Sequence, residues 1–360
     1  IMGAAAFIMA EIIGVEYVTI ILAASLPAFM FYLGVFMTID VMAKERDLGS
    51  LPDADVPPWK EILYWRRLTP VFVALGALFI GIFRGNAIQT AAFYGMAAAL
   101  IVFPITRIKS TTDLRPALDQ IAKAFKDSSR GLLIIGILLA GAQIMVAMIN
   151  MTGLGITLSS LIVSLGGDRI FLVSFIVAVV CMIMGMGIPT TAAYVLVAAV
   201  LAPAMIKMGI APIVAHLFVF YYATLSVITP PVCIAVFVGS GIAETEWTKT
   251  AKYALSFGAV TYVIPFLFII YPGMLAQAGV EGFCRAAFSG ILFVLAFANL
   301  FGGLKISGNK FADKLLCLAI AVLAVLPGLW TSMIALVMTV ALYAKRRQLK
   351  ARRLKLAAKM

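Results

Sequence analysis

Acidic side chains are scarce in this sequence: 16 Asp and Glu in 360 residues against 28 Lys and Arg, with one histidine and four cysteines. From Gly131 to Ala243 the one carboxylate is Asp168. A catalytic pair of acids has no material there, and a single histidine excludes the two that H-E-x-x-H requires. A Ser–His nucleophile would rest on His216 alone, so an intramembrane enzyme is a poor reading. No G-x-x-x-x-G-K-[ST] occurs, and Gly185-x-Gly187 has no preceding strand and no basic partner, so nucleotide loops are excluded. Cys181, Cys233, Cys284 and Cys317 form no C-x-x-C and lie in apolar stretches. They read as small packing residues, neither disulfides nor metal ligands, and no cofactor or transition metal is expected.

Apolar residues are what the chain has in excess, at 63% with a mean hydropathy of +1.09. That composition predicts an all-α, polytopic membrane protein embedded in a lipid bilayer. Nine crossings are expected, over Val15–Val41, Leu68–Phe83, Thr90–Thr106, Gly131–Met151, Pro212–Ile242, Ala251–Tyr271, Cys284–Leu300, Lys314–Leu326 and Ser332–Ala344. Residues 1–10 read as the tail end of a first broken helix whose earlier part lies upstream. Residues 11–110 read as membrane helices of first-repeat or scaffold type. Residues 111–130 read as an interfacial amphipathic helix, with Leu114, Leu118, Ile121 and Phe125 on one face and Asp113 as N-cap. Residues 131–272 read as a second repeat, with Thr152–Arg169 as a connector. Residues 273–344 add C-terminal membrane helices, and 345–360 form a basic tail.

Two stretches interrupt the apolar runs. Gly185-Met186-Gly187-Ile188-Pro189-Thr190-Thr191 cannot continue a helix, nor can Thr229-Pro230-Pro231. The arms Ile170–Met184 and Ala192–Ile206 are each about 22 Å long at the helical rise, short for a full crossing. They predict a re-entrant hairpin over 170–206. Residues 212–242 carry no charge and would span about 46 Å as one helix, so a single crossing broken at Thr229 is expected. Broken backbone in lipid persists only where protein, water or ions satisfy it. Secondary transporters use such breaks to hold substrate and coupling ion.

Eight Lys or Arg and no acid fall between Lys345 and Met360, which predicts a cytoplasmic C-terminus. The net charge of +12 therefore marks orientation and not a nucleic-acid partner. With 212–242 crossing once, Arg66-Arg67, the Arg107–Arg130 loop, Lys249, Lys252, Lys305, Lys310 and Lys314 fall on that same side. The start, I-M-G-A-A-A-F-I-M-A-E, echoes V-C-I-A-V-F-V-G-S-G-I-A-E after Pro231, in opposite orientation. Opposed copies are the mark of an inverted repeat.

The residues beside the breaks favour sodium over protons. A proton relay needs an intramembrane acid or histidine, and only His216 is available, which reads better as a packing or polar-contact residue. Sodium needs only oxygens, which freed carbonyls and the hydroxyls of Thr190, Thr191, Thr224, Ser226 and Thr229 supply. Helix N-termini after Pro189 and Pro231 suit an anionic group. Tyr221 and Tyr222 either line a substrate path or pack, and Met182, Met184 and Met186 read as packing. The competing account makes both breaks plain kinks, with hydroxyls bonded to their own helices.

At Gly185–Tyr194, His216–Tyr222 and Thr229–Pro231 the sequence resembles the large membrane subunit of TRAP transporters, the tripartite ATP-independent periplasmic transporters, in their fused, TAXI-associated form. The resemblance covers essentially the whole chain. It implies a permease of the bacterial inner membrane with elevator-like movement and sodium-driven uptake of an organic acid. It also implies delivery by a TAXI-type periplasmic solute-binding protein and small-subunit helices outside this chain. Ion and substrate contacts would fall on Gly185, Gly187, Pro189, Thr190, Thr191, Thr229, Pro230 and Pro231. The first hairpin of the family is not in this sequence, so the chain reads as truncated and inactive alone. A non-transporting scaffold or fragment is the alternative.

Overall fold

A computed structural model of the chain describes residues 5–46, 48, 58, 63–107, 114–305 and 309–357. Among the described residues all regular structure is helical. In chain order the α-helices are α1 (Ala5–Ile13), α2 (Tyr17–Glu45), α3 (Trp65–Phe83), α4 (Ile88–Arg107), α5 (Leu114–Thr152), α6 (Leu154–Gly166), α7 (Ile170–Gly185), α8 (Thr190–Lys207), α9 (Pro212–Leu225), α10 (Ile234–Ile242), α11 (Trp247–Gly258), α12 (Ile264–Ile270), α13 (Gly279–Gly302), α14 (Lys310–Val325) and α15 (Leu329–Ala357). Short 3₁₀ turns cover Ala259–Tyr262 and Pro272–Leu275. Five described segments are long and apolar enough to cross a membrane: Tyr17–Glu45, Gln89–Thr106, Thr190–Lys207, Trp247–Ile270 and Gly279–Gly302. The chain is a multi-pass α-helical membrane protein.

Two compact units divide it. One comprises Ala6–Thr19 and Gly49–Gly141; the other comprises Ile1–Ala5, Ile20–Leu48 and Ala142–Met360. In the smaller unit α3 and α4 pack through small residues, the usual way for backbones to approach in lipid. A Cβ on Gly81 would lie 2.9 Å from that of Ala91, and one on Gly95 would lie 3.0 Å from the Ala74 carbonyl oxygen. In the larger unit α8 and α9 form the centre. Every residue from Ala192 to Ala198 and from Ile213 to Ala223 is buried, as expected for helices apolar on all sides. Ser159 of α6 donates to the Val200 carbonyl at 2.9 Å. On α13, a Cβ at Gly302 would meet the Val41 side chain of α2 at 2.6 Å.

The structure departs from the sequence expectations at several elements. No separate interfacial helix follows residue 114: the amphipathic stretch and the crossing Gly131–Met151 form the single 39-residue helix α5. One glycine inside a helix costs about 1 kcal/mol, too little to end it without a proline. The N-cap expected at Asp113 lies outside the described residues. Thr152–Arg169 is not a plain connector, because α6 occupies most of it. Gly153 (φ 69°) and Gly167 (φ 56°) bound α6, while its serines bond within the fold and do not break it. The arms on either side of Gly185–Pro189 have 16 and 18 residues, longer than the 15 expected, so arm length decides less about re-entry. From Lys345 to Ala357 the basic tail continues α15. Cys284 is exposed, while Cys181, Cys233 and Cys317 are buried.

Candidate ion and substrate site

α7 stops at Gly185 because Met186 takes extended angles (φ −65°, ψ 129°) and Gly187 takes φ 79°, a region that side chains resist. Pro189 then pushes Ile188 from helical angles and opens α8. Among the described residues the carbonyls of Met186, Gly187 and Ile188 and the Gly187 N–H make no backbone hydrogen bond. Neither do the N–H groups of Thr190 and Thr191, the free donors of a helix start.

The second break is wider than the Thr-Pro-Pro motif implies. Helix α9 ends at Leu225 and α10 begins at Ile234, with a cis peptide at Pro230–Pro231 and Cys233 at φ 28°. Val227, Ile228 and Thr229 donate to carbonyls three residues back, and Ala235 donates to Val227 at 3.2 Å. The carbonyls of Ile228, Thr229, Pro230, Pro231 and Val232 have no backbone donor among the described residues, and the N–H groups of Val232, Cys233 and Ile234 no backbone acceptor.

The two breaks touch. Helix α7 comes so near α9 that a Cβ on Gly185 would lie 2.7 Å from Ser226 Oγ and 3.1 Å from the Ala223 carbonyl oxygen. A Cβ on Gly187 would lie 3.8 Å from Val232 Cγ1. The structure therefore brings Gly185 and Gly187 to the Ser226–Val232 turn. Pro189, Thr190 and Thr191 follow at the start of α8, with Pro189 and Thr190 exposed and Thr191 half-buried.

Hydroxyl protons at the break are committed inward. Ser226 Oγ donates to the Ala223 carbonyl at 2.6 Å, Thr224 Oγ1 to Tyr221 at 2.7 Å, and Thr229 Oγ1 to Leu225 at 2.6 Å. Such back-bonding belongs to the kink account, yet each hydroxyl keeps lone pairs for a cation. Eight residues leaving the helix also exceed a kink. Tyr262, which the motifs did not single out, completes the arrangement: its hydroxyl lies 2.6 Å from Thr229 Oγ1. Since the Thr229 proton goes to Leu225, Tyr262 is the donor of that pair. Its own carbonyl accepts the Tyr222 hydroxyl, because the N–H of Phe266 goes to Val263 at 3.0 Å instead. Pro265 was the available signal, since a proline deep in a crossing frees carbonyls one turn back.

A cavity of about 250 Å³ adjoins the break, lined by Phe31, Tyr32, Tyr221, Thr224, Ile228 and Thr261 among others. The Thr261 hydroxyl is buried with no partner among the described residues. Tyr221 thus lines a cavity, whereas Tyr222 bonds inside the protein. His216 stands apart: its Nδ1 lies 2.9 Å from the hydroxyl of the fully buried Tyr194. It precedes Ser226 by ten residues, about 15 Å along the helix. We expect Tyr194→Phe to lower stability by about 1–3 kcal/mol, by stranding His216, and His216→Gln to leave the pH profile of uptake unaltered. Thermal unfolding and uptake across pH check the two outcomes. Among the described residues no group of three or more His, Cys, Asp or Glu comes together.

Comparison with known proteins decides the family. Residues 1–283 match the family model described as tripartite ATP-independent periplasmic transporter, DctM component. The chain belongs to the DctM family. Within it, the C4-dicarboxylate TRAP transporter large permease protein DctM of Vibrio cholerae is 25% identical over 266 residues, covering 69% of this chain and 57% of that protein. Its namesake from Pseudomonas aeruginosa is 24% identical over 254 residues, covering 69% and 56%. The isethionate TRAP transporter permease protein DctMQ of Oleidesulfovibrio alaskensis is 25% identical over 192 residues, covering 53% and 28%. The chain spans about half the length of the DctM relatives it matches. No solved structure matches it significantly. DctM-family proteins are transport components, not enzymes.

Proposed function

We propose that the whole protein is a sodium-coupled secondary transporter of the bacterial inner membrane that takes up an organic acid. The observation that carries the reading is the contact of the two breaks at Gly185 and Ser226, deep in an apolar fold. Peptide groups freed on both sides of that contact have no partner but an ion, water or substrate. Sodium is held by carbonyls of Ile228–Val232 and the hydroxyls of Thr224 and Thr229, while Ser226 packs the two turns together. The acid is held by N–H groups at the starts of α8 and α10 and has room in the cavity at Tyr221. The named relatives carry acids, C4-dicarboxylates and isethionate. A larger cavity of about 770 Å³ in the other unit has Glu11 and Glu16 in its walls, and carboxylates there repel an anion.

In this reading α7 and α8 form a re-entrant hairpin in one half of an inverted repeat, and the hairpin-bearing part moves as an elevator. The C-terminus is cytoplasmic. A TAXI-type periplasmic binding protein delivers the substrate, and small-subunit helices complete the complex. The short helices α1 and α10, nine residues each, support the repeat. Proteoliposomes holding the full-length protein, with binding protein and labelled acid added, test the reading. We expect uptake when sodium is imposed outside and none with potassium. Binding-protein docking without uptake under any ion gradient would favour a scaffold instead.

A further inference from the structure

The DctM match ends at residue 283, and the helices beyond it carry a feature that ion coupling does not use. Helix α15 runs unbroken from an apolar half, Leu329–Ala344, into a half with Lys345, Arg346, Arg347, Lys350, Arg352, Arg353 and Lys355. No Asp or Glu follows Asp313 in the sequence. Arg346 reaches back to Glu45 at the end of α2, at 3.3 Å, with both side chains largely buried. Arg46, next along, bonds the Tyr253 hydroxyl and lies 5.0 Å over its ring. Gly302, at the end of α13, packs on Val41. These contacts gather the C-terminal ends of α2 and α13, the middle of α11 and the start of the basic half of α15 within the larger unit.

The acids there are mostly spent. Asp40 pairs with Lys44 at 2.7 Å, Glu246 with Lys249 at 3.5 Å, and Glu45 with Arg346. Lys252, Lys305, Lys345 and Arg347 are exposed and have no ion pair among the described residues. The basic turns begin one residue after the apolar run, so they emerge at headgroup depth. A basic segment in that place is attracted to anionic lipid by about 1 kcal/mol per Lys or Arg.

We infer that this part of the protein is a binding surface for anionic phospholipid headgroups, seated on the basic turns of α15 and on Lys252 and Lys305. The inference rests on α15 crossing the membrane and is independent of sodium coupling or of which leaflet the surface faces. Nucleic acid matches the charge too, but lipid is already at that depth.

The full chain in nanodiscs of phosphatidylcholine doped with phosphatidylglycerol provides the test, read as anionic lipid retained in native mass spectrometry. Wild type is expected to retain phosphatidylglycerol selectively. The combined variant Lys345→Gln, Arg347→Gln, Lys350→Gln, Arg352→Gln is expected to weaken retention by several hundredfold, at about fivefold per cation. Exchanging Lys for Arg and Arg for Lys at the same four positions keeps charge and fold and is expected to preserve retention. Equal retention by wild type and the glutamine variant would overturn the inference. So would displacement of the lipid by equimolar inorganic phosphate, or tighter binding of single-stranded RNA than of the doped bilayer. Loss of sodium-driven uptake alone, with lipid retention intact, would count against the transport reading and leave this one standing.

Discussion

Gly185→Ala is expected to reduce sodium-driven uptake by about tenfold or more, and Ser226→Gly in the same protein to restore much of it. The added Cβ would sit 2.7 Å from Ser226 Oγ, and that hydroxyl is itself held to the Ala223 carbonyl. Backbone stands behind it at 3.1 Å, so the clash cannot be relieved by one rotamer. Overpacking of this kind costs about 1–3 kcal/mol. The strain is relieved by moving the Gly185 turn away from the Ser226 turn, which separates the oxygens and N–H groups that hold the ion and the acid. Deleting the Ser226 side chain removes the nearest obstacle, so the two substitutions compensate in a double-mutant cycle. Uptake rates for the four proteins, normalised to the amount folded in the membrane, give the answer. Additive losses would mean the two turns do not act together.

Thr229→Val is expected to raise the half-saturating sodium concentration by about fivefold or more, and Tyr262→Phe to raise it by less. The valine substitution removes a hydroxyl oxygen beside the unpartnered carbonyls of Ile228–Val232. It also strands the Tyr262 hydroxyl in a half-buried place, at a cost of about 1–3 kcal/mol. Tyr262→Phe leaves the Thr229 oxygen present but unpositioned, so its effect is that of a positioning residue. The two changes should couple, because their hydroxyls lie 2.6 Å apart. Sodium titrations of uptake at fixed acid concentration measure both. Pro231→Ala belongs in the same series: restoring an N–H to the break is expected to weaken sodium dependence. Unchanged titrations in all three variants would remove the ion from this turn.

Much of this was legible in the residues because the signals were local. Glycine and proline act on backbone angles within one or two positions, so the turn at Gly185–Pro189 and the interruption at Thr229–Pro231 could be read without any partner. What failed depended on context. Thr152–Arg169 reads as a connector since serines and glycines favour turns in water. Inside the protein Ser159 instead bonds Val200, and the stretch winds into α6. In sequence Gly131 reads as a boundary, yet a single glycine is too weak a breaker to divide α5. The role of Tyr262 was hidden, because its partners Thr229 and Tyr222 are 33 and 40 residues away in sequence. On sequence His216 reads better as packing than as a relay, and only the position of Tyr194 supplies its partner. Nothing in the spacing of Gly185 and Ser226 announced that they touch; that is a product of how α7, α8 and α9 pack.

The most direct measurement is hydrogen exchange of the full-length protein with and without sodium, followed by mass spectrometry of peptides covering 186–191 and 226–235. The amides of Gly187, Thr190, Thr191, Val232, Cys233 and Ile234 have no backbone acceptor among the described residues, so they report whatever settles on them. If the two helix breaks share one ion site, sodium with the acid should slow exchange in both peptides together, and potassium in neither. Slowing in one peptide only, or equal slowing by potassium, would contradict the account.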